Sequence, residues 1–418
     1  MNNVSEVVKS DLCVGCGVCM DVCPKNCIQI NHGVVNNPTV WEQDCVACGK
    51  CLKACPGKGV EIEKLSESFF AGEGIIKDSH IGYYHKCFSG YSNEYAIRYH
   101  CASGGSVSQF LIYLLERELI DGAVVVGFQK DAPMKPRVYI ARSKEEVLDA
   151  KSSKYCVVAY DGIIAEIEKS EGRYVMVGLP CHIQGFRKAE KLSKKLSECM
   201  IGYFAIYCSA GKNMQSQDYF IWRYGVDKDK IARFAYRDYG CMGDMVFEDK
   251  QGKEIVNKIP CLSYYMSAKG FFTPWRCMLC IDHFGELADV CFGDIQIGEY
   301  RKDKTGVNSI VSRSAYWTRL LLEAKDAGCL HLDDIDAETV FSSQGFCKHQ
   351  KKGPGVVAEY NIRRMLGKAL PKYDQPLLAQ KAYAKDYIKS VMRIMMRYIG
   401  RRPSMWWIIK FLDKDKSR

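Results

Sequence analysis

The sequence predicts three parts: a small α+β module, a larger α/β domain and a helical, basic C-terminal tail. A cysteine-rich pattern occurs twice near the start, as KSDLCVGCGVCMDVCPKNCIQI and as WEQDCVACGKCLKACPGKGVEI. Hydrophobic patterns of helical and strand type then alternate, which is typical of an α/β core. A basic helical pattern closes the chain. The predicted boundaries are 1–65 for the module, 66–80 for a linker, 81–335 for the domain and 336–418 for the tail.

The composition is that of a globular chain rich in cysteine. The 418 residues are 47% apolar, which suits two or three domains with buried cores. Disulfide frameworks for the 22 cysteines would be typical of short secreted domains, and residues 1–10 contain no apolar leader segment. We therefore expect a cytoplasmic chain whose cysteines hold metal. No apolar run is long enough to predict a membrane-spanning helix.

Each copy of the repeat contains four cysteines spaced Cys-x2-Cys-x2-Cys-x3-Cys and followed by proline. This spacing is typical of ferredoxins with two [4Fe–4S] clusters, in which the last cysteine of each motif ligates the other cluster. The predicted ligands are Cys13, Cys16, Cys19 and Cys55 for one cluster, and Cys45, Cys48, Cys51 and Cys23 for the other. The module is thus expected to be ferredoxin-like and to carry single electrons. Zinc and disulfides are the alternatives, but zinc sites normally use paired Cys-x2-Cys units.

The second part alternates between helices and strands. Apolar residues at helical spacing predict helices over 107–119 and 315–327. Ser143 and Glu146 form a capping box that opens another helix. Strands are predicted over 123–128, 173–178, 201–208 and 289–294. Neither a Gly-x-Gly-x-x-Gly fingerprint nor a Walker A loop is present, so a Rossmann dinucleotide fold and ATP use are not predicted.

Two turns in this part are candidate anion sites. Ser103, Gly104 and Gly105 directly precede a predicted helix, where free N–H groups and the helix dipole suit a phosphate. A simple helix cap is the alternative. The turn at 151–155, which is basic and rich in hydroxyls, could hold the same anion or be a solvated loop.

Four further cysteines suggest a third metal site. Cys181 lies between a predicted strand and a helix, Cys208 ends the next strand, and Cys277 and Cys280 form a Cys-x2-Cys pair. Together they supply four thiolate ligands. A redox-active pair at Cys277 and Cys280 is the competing interpretation.

These motifs, taken in order, resemble those of the coenzyme F-420 hydrogenase/dehydrogenase beta-subunit family. That family also includes plant hydroxymethyl-chlorophyll reductase. The resemblance covers about residues 80–330 and implies an FAD beside a third [4Fe–4S] cluster in one α/β flavin and iron–sulfur domain. The residues that carry it are Ala102–Gly105, Ser153–Tyr155, Gly178–Cys181, Cys277 with Cys280, and Ala288–Asp294.

The resemblance implies roles for two groups of residues, flavin contacts and cluster ligands. It does not indicate catalytic residues. The expected flavin contacts are Ser103, Gly104, Gly105, Ser153, Lys154 and Tyr155. The expected ligands of the third cluster are Cys181, Cys208, Cys277 and Cys280. His182 and Ser209 stand where the family often has Gln and His, which bears on the use of a deazaflavin.

The resulting expectation is an iron–sulfur flavoprotein oxidoreductase. It would pass electrons between a redox partner protein or ferredoxin and a flavin that exchanges hydride with an organic substrate or a deazaflavin. Family members with a fused ferredoxin module often accompany surface-polysaccharide genes, which suggests that pathway. The alternatives are a non-catalytic polyferredoxin-like carrier subunit and a subunit whose metal is structural.

The tail interleaves basic and apolar residues over 389–412. One interpretation is a terminal helix that packs on the core. The other is an amphipathic segment that makes peripheral contact with an anionic membrane. Nucleic acid is not predicted as a partner. The basic residues are interleaved with apolar and aromatic residues, and this spacing is typical of a helix that packs on a core.

Overall fold

The computed structural model describes residues 2–268, 270–344, 352–377, 379 and 381–412. Parts of the predicted tail, residues 345–351, 378, 380 and 413–418, lie outside this range. None of the described helices combines the length and apolar content needed to cross a lipid bilayer.

The N-terminal module contains short elements around the two cysteine motifs. Helices α2 and α3 begin directly after Gly17 (φ 82°) and Gly49 (φ 72°), whose left-handed backbone lets each cysteine loop turn tightly. The elements are α1 (Ser5–Lys9), α2 (Val18–Asp21), β1 (Ile28–Asn31), β2 (Asn37–Val40), α3 (Lys50–Ala54), β3 (Gly59–Val60) and α4 (Ile62–Phe70).

Helices and strands alternate in the first half of the domain, as predicted. Residues 66–80, the predicted linker, contain the end of α4 and strand β4. The elements are β4 (Ile76–Asp78), β5 (Gly82–Tyr84), β6 (Lys86–Ser92), α5 (Tyr95–His100), α6 (Ser106–Glu116), β7 (Gly122–Phe128), β8 (Pro136–Ala141), α7 (Lys144–Asp149), α8 (Ile163–Lys169), β9 (Tyr174–Gly178), α9 (Pro180–Glu190), α10 (Lys194–Cys199), β10 (Met200–Ile206) and α11 (Gln215–Tyr224).

The second half of the domain adds a small antiparallel sheet and then returns to the main sheet. Its elements are β11 (Arg233–Asp238), β12 (Asp244–Glu248), β13 (Ile259–Pro260), α12 (Cys261–Ser267), α13 (Trp275–Met278), β14 (Val290–Asp294), β15 (Asn308–Ser312), α14 (Ala315–Asp326), β16 (Leu330–Asp334) and α15 (Ala337–Ser343). The C-terminal part contains α16 (Pro354–Met365), β17 (Lys372–Tyr373), α17 (Ala384–Gly400) and α18 (Trp406–Leu412).

The main sheet has eight strands within the described residues, in the order β16-β6-β15-β14-β10-β9-β7-β8. Its four central strands, β14, β10, β9 and β7, run parallel, whereas the strands on either side pair antiparallel. The carboxyl ends of the central strands therefore meet at one edge of the sheet. Ligands in open α/β sheets bind at this edge.

Apolar cores cover both faces of the sheet. On one face Phe110 of α6 packs with Trp317 of α14. On the other, Ile183 and Phe186 of α9 share a core with Cys16 and Val18 of the N-terminal module. The module is therefore packed directly on the helical layer of the domain.

The C-terminal part returns to the N-terminal module. Strand β17 pairs in parallel with β3, so that Lys372 is opposite Gly59 and Tyr373 is opposite Val60. The Arg363 guanidinium donates to the Ser10 carbonyl at 2.6 Å. The predicted tail is thus helical, but it also contributes a strand to the module.

Candidate electron-transfer site

The N-terminal module brings its eight motif cysteines together in two groups of four. Each of the two thiol sets lines a cavity of its own. The first set is Cys13, Cys16, Cys19 and Cys55. The second set is Cys23, Cys45, Cys48 and Cys51. Each set contains three cysteines of one motif and the last cysteine of the other.

The chemistry of both sets suits a metal cluster. Burial raises the pKa of the Cys13 thiol to about 12 and raises the pKa of Cys16 and Cys19 as well. Grouped thiolates are therefore favoured only when cations such as iron compensate their charge. Cys27, outside the motif, also lines the second cavity, and its Sγ is 3.5 Å from that of Cys23.

The predicted third thiol set, Cys181, Cys208, Cys277 and Cys280, lies at the carboxyl edge of the sheet. Cys181 opens α9 after β9, and Cys208 follows β10, the neighbouring parallel strand. Burial raises the pKa of Cys181, and the three other thiols raise it further by charge repulsion. The structure therefore brings these four cysteines, distant in sequence, into electrostatic range of one another.

Helix α9 connects the first and third thiol sets. Cys181 lies in its first turn, and Gly185, one turn later, faces the first set: a Cβ added there would be 3.6 Å from Cys16 Sγ. Further along α9, Lys188 Nζ donates to the carbonyls of Cys55 (2.6 Å) and Gly59 (3.0 Å). One helix thus contacts both sets.

The loop of Cys277 and Cys280 also contacts the N-terminal module. The Arg276 guanidinium donates to the carbonyls of Gly57 (2.9 Å) and Pro56 (3.1 Å), the two residues after Cys55. Leu279 packs in the apolar core of the module. These contacts fix the third set against the first.

The predicted phosphate turn lies beside β15. Gly104 N–H donates to Thr305 O at 3.2 Å and Gly105 N–H donates to Ser103 O at 2.5 Å, so both donors have internal partners. A Cβ on Gly104, whose φ is 58°, would be 2.5 Å from Asn308 Oδ1. The turn offers fewer free N–H groups than its sequence suggests, and it needs glycine for its packing.

The second predicted turn is folded on itself. Burial lowers the pKa of Lys154 to about 7, and its ammonium donates to the carbonyls of Ala150, Lys151 and Ser152 at 2.5–3.1 Å. Ser153 precedes it in the loop. Tyr155 points into an aromatic group with Tyr236, Tyr264 and Tyr265 at centroid distances of 5.3–6.5 Å.

Arg237, which no motif indicated, connects the predicted segments. Its guanidinium donates to Ala102 O (2.5 Å), Asp294 Oδ2 (2.9 Å) and the Tyr155 hydroxyl (3.4 Å). The Ser152 hydroxyl donates to the Arg237 carbonyl. The turn at 102–105, the turn at 151–155 and the end of β14 therefore meet around one buried arginine. Arg237 belongs to no recognisable motif, so the sequence contained no signal that it would link these segments.

The two positions that depart from the family pattern are each adjacent in sequence to a cysteine of the third thiol set. Ser209, next to Cys208, shares a hydrogen bond of 3.1 Å with the Tyr265 hydroxyl. His182, next to Cys181, is buried, and its Nδ1 accepts from Leu179 N–H at 3.2 Å. Burial lowers the pKa of His182 to about 4, so its imidazole is neutral near pH 7.

Comparison with protein-family models gives matches along most of the chain. Models for the beta subunit of coenzyme F420 hydrogenase/dehydrogenase match residues 87–164 with its N-terminal part and 171–338 with its C-terminal part. A 4Fe-4S dicluster model matches residues 12–61. The N-terminal module is therefore an iron–sulfur domain.

Curated proteins of similar sequence are also named for coenzyme F420. The coenzyme F420-dependent sulfite reductase of Methanocaldococcus jannaschii is 25% identical over 319 residues, which are 69% of this chain and 43% of that protein. The coenzyme F420 hydrogenase beta subunit of Methanosarcina barkeri is 25% identical over 232 residues, which are 53% of this chain and 74% of that subunit. This chain thus spans less than half of the sulfite reductase and most of the hydrogenase subunit.

A solved structure has the same fold. A chain of the F420-reducing [NiFe] hydrogenase complex from Methanosarcina barkeri superposes with a TM-score of 0.54 at 17% identity, covering 71% of this chain and 98% of that chain. The fold, the dicluster module and the two beta-subunit models agree. The chain therefore belongs to the coenzyme F420 hydrogenase/dehydrogenase beta-subunit family and is an electron-transfer protein of the iron–sulfur oxidoreductase type.

Proposed function

We propose that the chain is a flavin-dependent iron–sulfur oxidoreductase. It would exchange electrons with a redox partner protein or ferredoxin and hydride with an organic substrate or a deazaflavin. A flavin supplies the conversion between one-electron and two-electron chemistry that such a reaction needs. The relatives named for coenzyme F420 support the deazaflavin. A role in surface-polysaccharide biosynthesis stays a prediction.

The proposal rests on a series of contacts that leads from the iron–sulfur module to the residues around Arg237. Gly185 of α9 faces Cys16, and Cys181 begins the same helix. Beyond Cys208, Ser209 bonds Tyr265, whose ring packs on Tyr155. Successive contacts therefore link the first thiol set, the third set and the candidate flavin residues, as electron transfer requires.

The aromatic residues near Arg237 suit the ring of a flavin. Arg237 is buried and holds the 102–105 turn in place through Ala102, while Asp294 balances its charge. The rings of Tyr155 and Tyr265 provide an apolar wall, and Lys212 Nζ lies 3.7 Å from the centroid of Tyr265. These groups would orient the flavin and keep water from it. We assign no catalytic residue.

The exposed edge of the second thiol set is the proposed contact for the redox partner. Cys48 is exposed, whereas Cys16 and Cys19 of the first set are buried. An external protein can therefore approach the second set most closely. We further propose that the chain acts in the cytoplasm.

Anaerobic purification with iron, sulfide and flavin counted per chain tests the proposal. We expect about twelve irons and one flavin, since three four-cysteine sets suit three cubane clusters. Lys154→Met should lose flavin and keep iron, and Lys130→Met, at an exposed position, should keep both. Full flavin in Lys154→Met would exclude the 151–155 turn from the site. If the wild-type protein binds neither FAD nor FMN when they are supplied in excess, the proposal of a flavin-dependent enzyme fails. The chain would then be a non-catalytic electron-carrier subunit.

A further inference from the structure

Helix α17 buries Arg397 and partly buries Arg393, while it exposes several apolar side chains, which is unusual for a surface helix. On its inner face, Arg393 Nη1 and Arg397 Nη2 each lie 3.9 Å from a carboxylate oxygen of Glu359 in α16. The Arg397 guanidinium also stacks on Trp275, 4.3 Å from the ring centroid. The inner face is therefore held by charge and by stacking, and also by Met396 and Ile399, which pack against an apolar core.

The outer face of α17 is apolar. Its exposed residues follow helical spacing and are 49–62% accessible: Ile388, Val391, Met392, Met395 and Tyr398. Helix α18 repeats this arrangement, because Trp406 and Ile409 are buried in the core while Trp407, Phe411 and Leu412 are exposed. A continuous apolar stripe on the surface of a helix is the mark of an interaction site.

Basic residues flank these apolar side chains. Lys385 and Lys389 on α17, and Lys410 on α18, are exposed. Arg401 and Arg402 are exposed where α17 ends, and the Arg402 guanidinium lies 3.4 Å from the ring centroid of Tyr398. Asp386, the acidic residue within α17, accepts from Tyr383 N–H at 3.0 Å and is only partly exposed. The charge next to the apolar stripe is therefore positive.

We propose that the outer face of α17 and α18 lies on an anionic lipid surface. The apolar side chains would enter the boundary between headgroups and acyl chains, and the flanking lysines and arginines would meet anionic headgroups. The described part of the chain contains no membrane-spanning helix, so this contact is peripheral. The inference does not depend on the flavin, because it concerns the exposed outer face of α17 and α18, which contains none of the candidate flavin residues.

The test uses the purified full-length protein and sedimentation with vesicles of phosphatidylserine and phosphatidylcholine at low salt. We expect binding to these vesicles, little binding to pure phosphatidylcholine, and release at high salt. The triple variant Ile388→Ser, Met392→Ser, Met395→Ser should bind at least about tenfold more weakly, because it removes apolar area from the contact. The control is Met365→Ser with Leu366→Ser, which lie at the end of α16 and are 83% and 59% exposed; it should bind like wild type.

Unchanged iron content in the triple variant shows that it is folded. Equal vesicle binding by the triple variant and the wild type would overturn the proposal, as would equal binding to neutral and anionic vesicles. A concentration-dependent dimer that the triple variant abolishes, without vesicle binding, would instead assign the face to a second copy of the chain. Point variants are preferred to truncation after Pro371, which would also remove strand β17.

Discussion

Gly185 of α9 lies directly against Cys16: a Cβ at this position would be 3.6 Å from Cys16 Sγ and 3.0 Å from Val18 Cγ2. The absence of a side chain lets the helix that begins with Cys181 approach the first thiol set closely. The distance between the two sets therefore depends on this glycine.

A first prediction concerns the size of the residue at this contact. Gly185→Ala should be nearly neutral, since the gain of about 0.5–1 kcal/mol in helix propensity offsets a tight contact with Val18. Gly185→Leu should force α9 from the module and reduce the iron held by the first set. Iron counts and melting temperatures of both variants measure this. Wild-type iron content and stability in Gly185→Leu would mean that the contact is looser than described.

A second prediction concerns the cations beside the first thiol set. Lys188 and Arg276 both donate to backbone carbonyls at or just after Cys55. A nearby positive charge stabilises an added electron, so Lys188→Met should shift the reduction potential of the first cluster to more negative values. Redox titration monitored by electron paramagnetic resonance gives the shift.

The second cluster should keep its potential in Lys188→Met, since Lys188 contacts residues of the first set. Lys194→Met is a matched control, because Lys194 has a 90% exposed side chain and pairs with Glu198 on α10. A shift of the same size in the control would show that the effect is not local to Cys55.

A third prediction concerns the third thiol set. The double variant Cys277→Ser, Cys280→Ser should lose about four irons per chain and keep about eight. Cys329→Ser should keep all of them, since Cys329 lies after α14, outside the three sets. Iron and sulfide analysis of anaerobically prepared protein decides the matter. Full iron in the double variant would refute the third set.

A fourth prediction concerns the cap of α4. Asp374 follows β17, and its carboxylate accepts from the N–H groups of Glu63 (3.1 Å) and Lys64 (2.9 Å). Asp374→Ala should lower the free energy of unfolding by about 1 kcal/mol, as for other helix caps. Asp374→Asn, which keeps one acceptor oxygen, should lose less. Chemical denaturation measures both, and equal losses would show that the charge matters more than the hydrogen bonds.

Local patterns in the sequence predicted the elements well. The strand predicted over 173–178 is β9 (Tyr174–Gly178), and the helix predicted over 315–327 is α14 (Ala315–Asp326). The Ser143 side chain accepts from Glu146 N–H as in the predicted cap, but the Glu146 carboxylate accepts from Arg142 N–H. Such features depend on neighbours in sequence, which is why they can be predicted.

Long-range contacts could not be predicted in the same way. Arg237 meets Ala102 and Asp294 only because β11 lies near the edge of the main sheet, and no motif encodes that approach. The periodicity of the tail predicts a helix. It does not show that Glu359 would draw the arginines inwards and leave the apolar residues outside.

The pairing of β3 with β17 has a consequence for biosynthesis. Lys372, Tyr373 and Asp374, which pair with β3 and cap α4 of the iron–sulfur module, are made more than 300 residues after the elements that they contact. During translation, strand β3 of the module therefore has no β17 to pair with until residues 372 and 373 have been added. Pairing of β3 with β17 and capping of α4 therefore report that the polypeptide has been synthesised through Asp374.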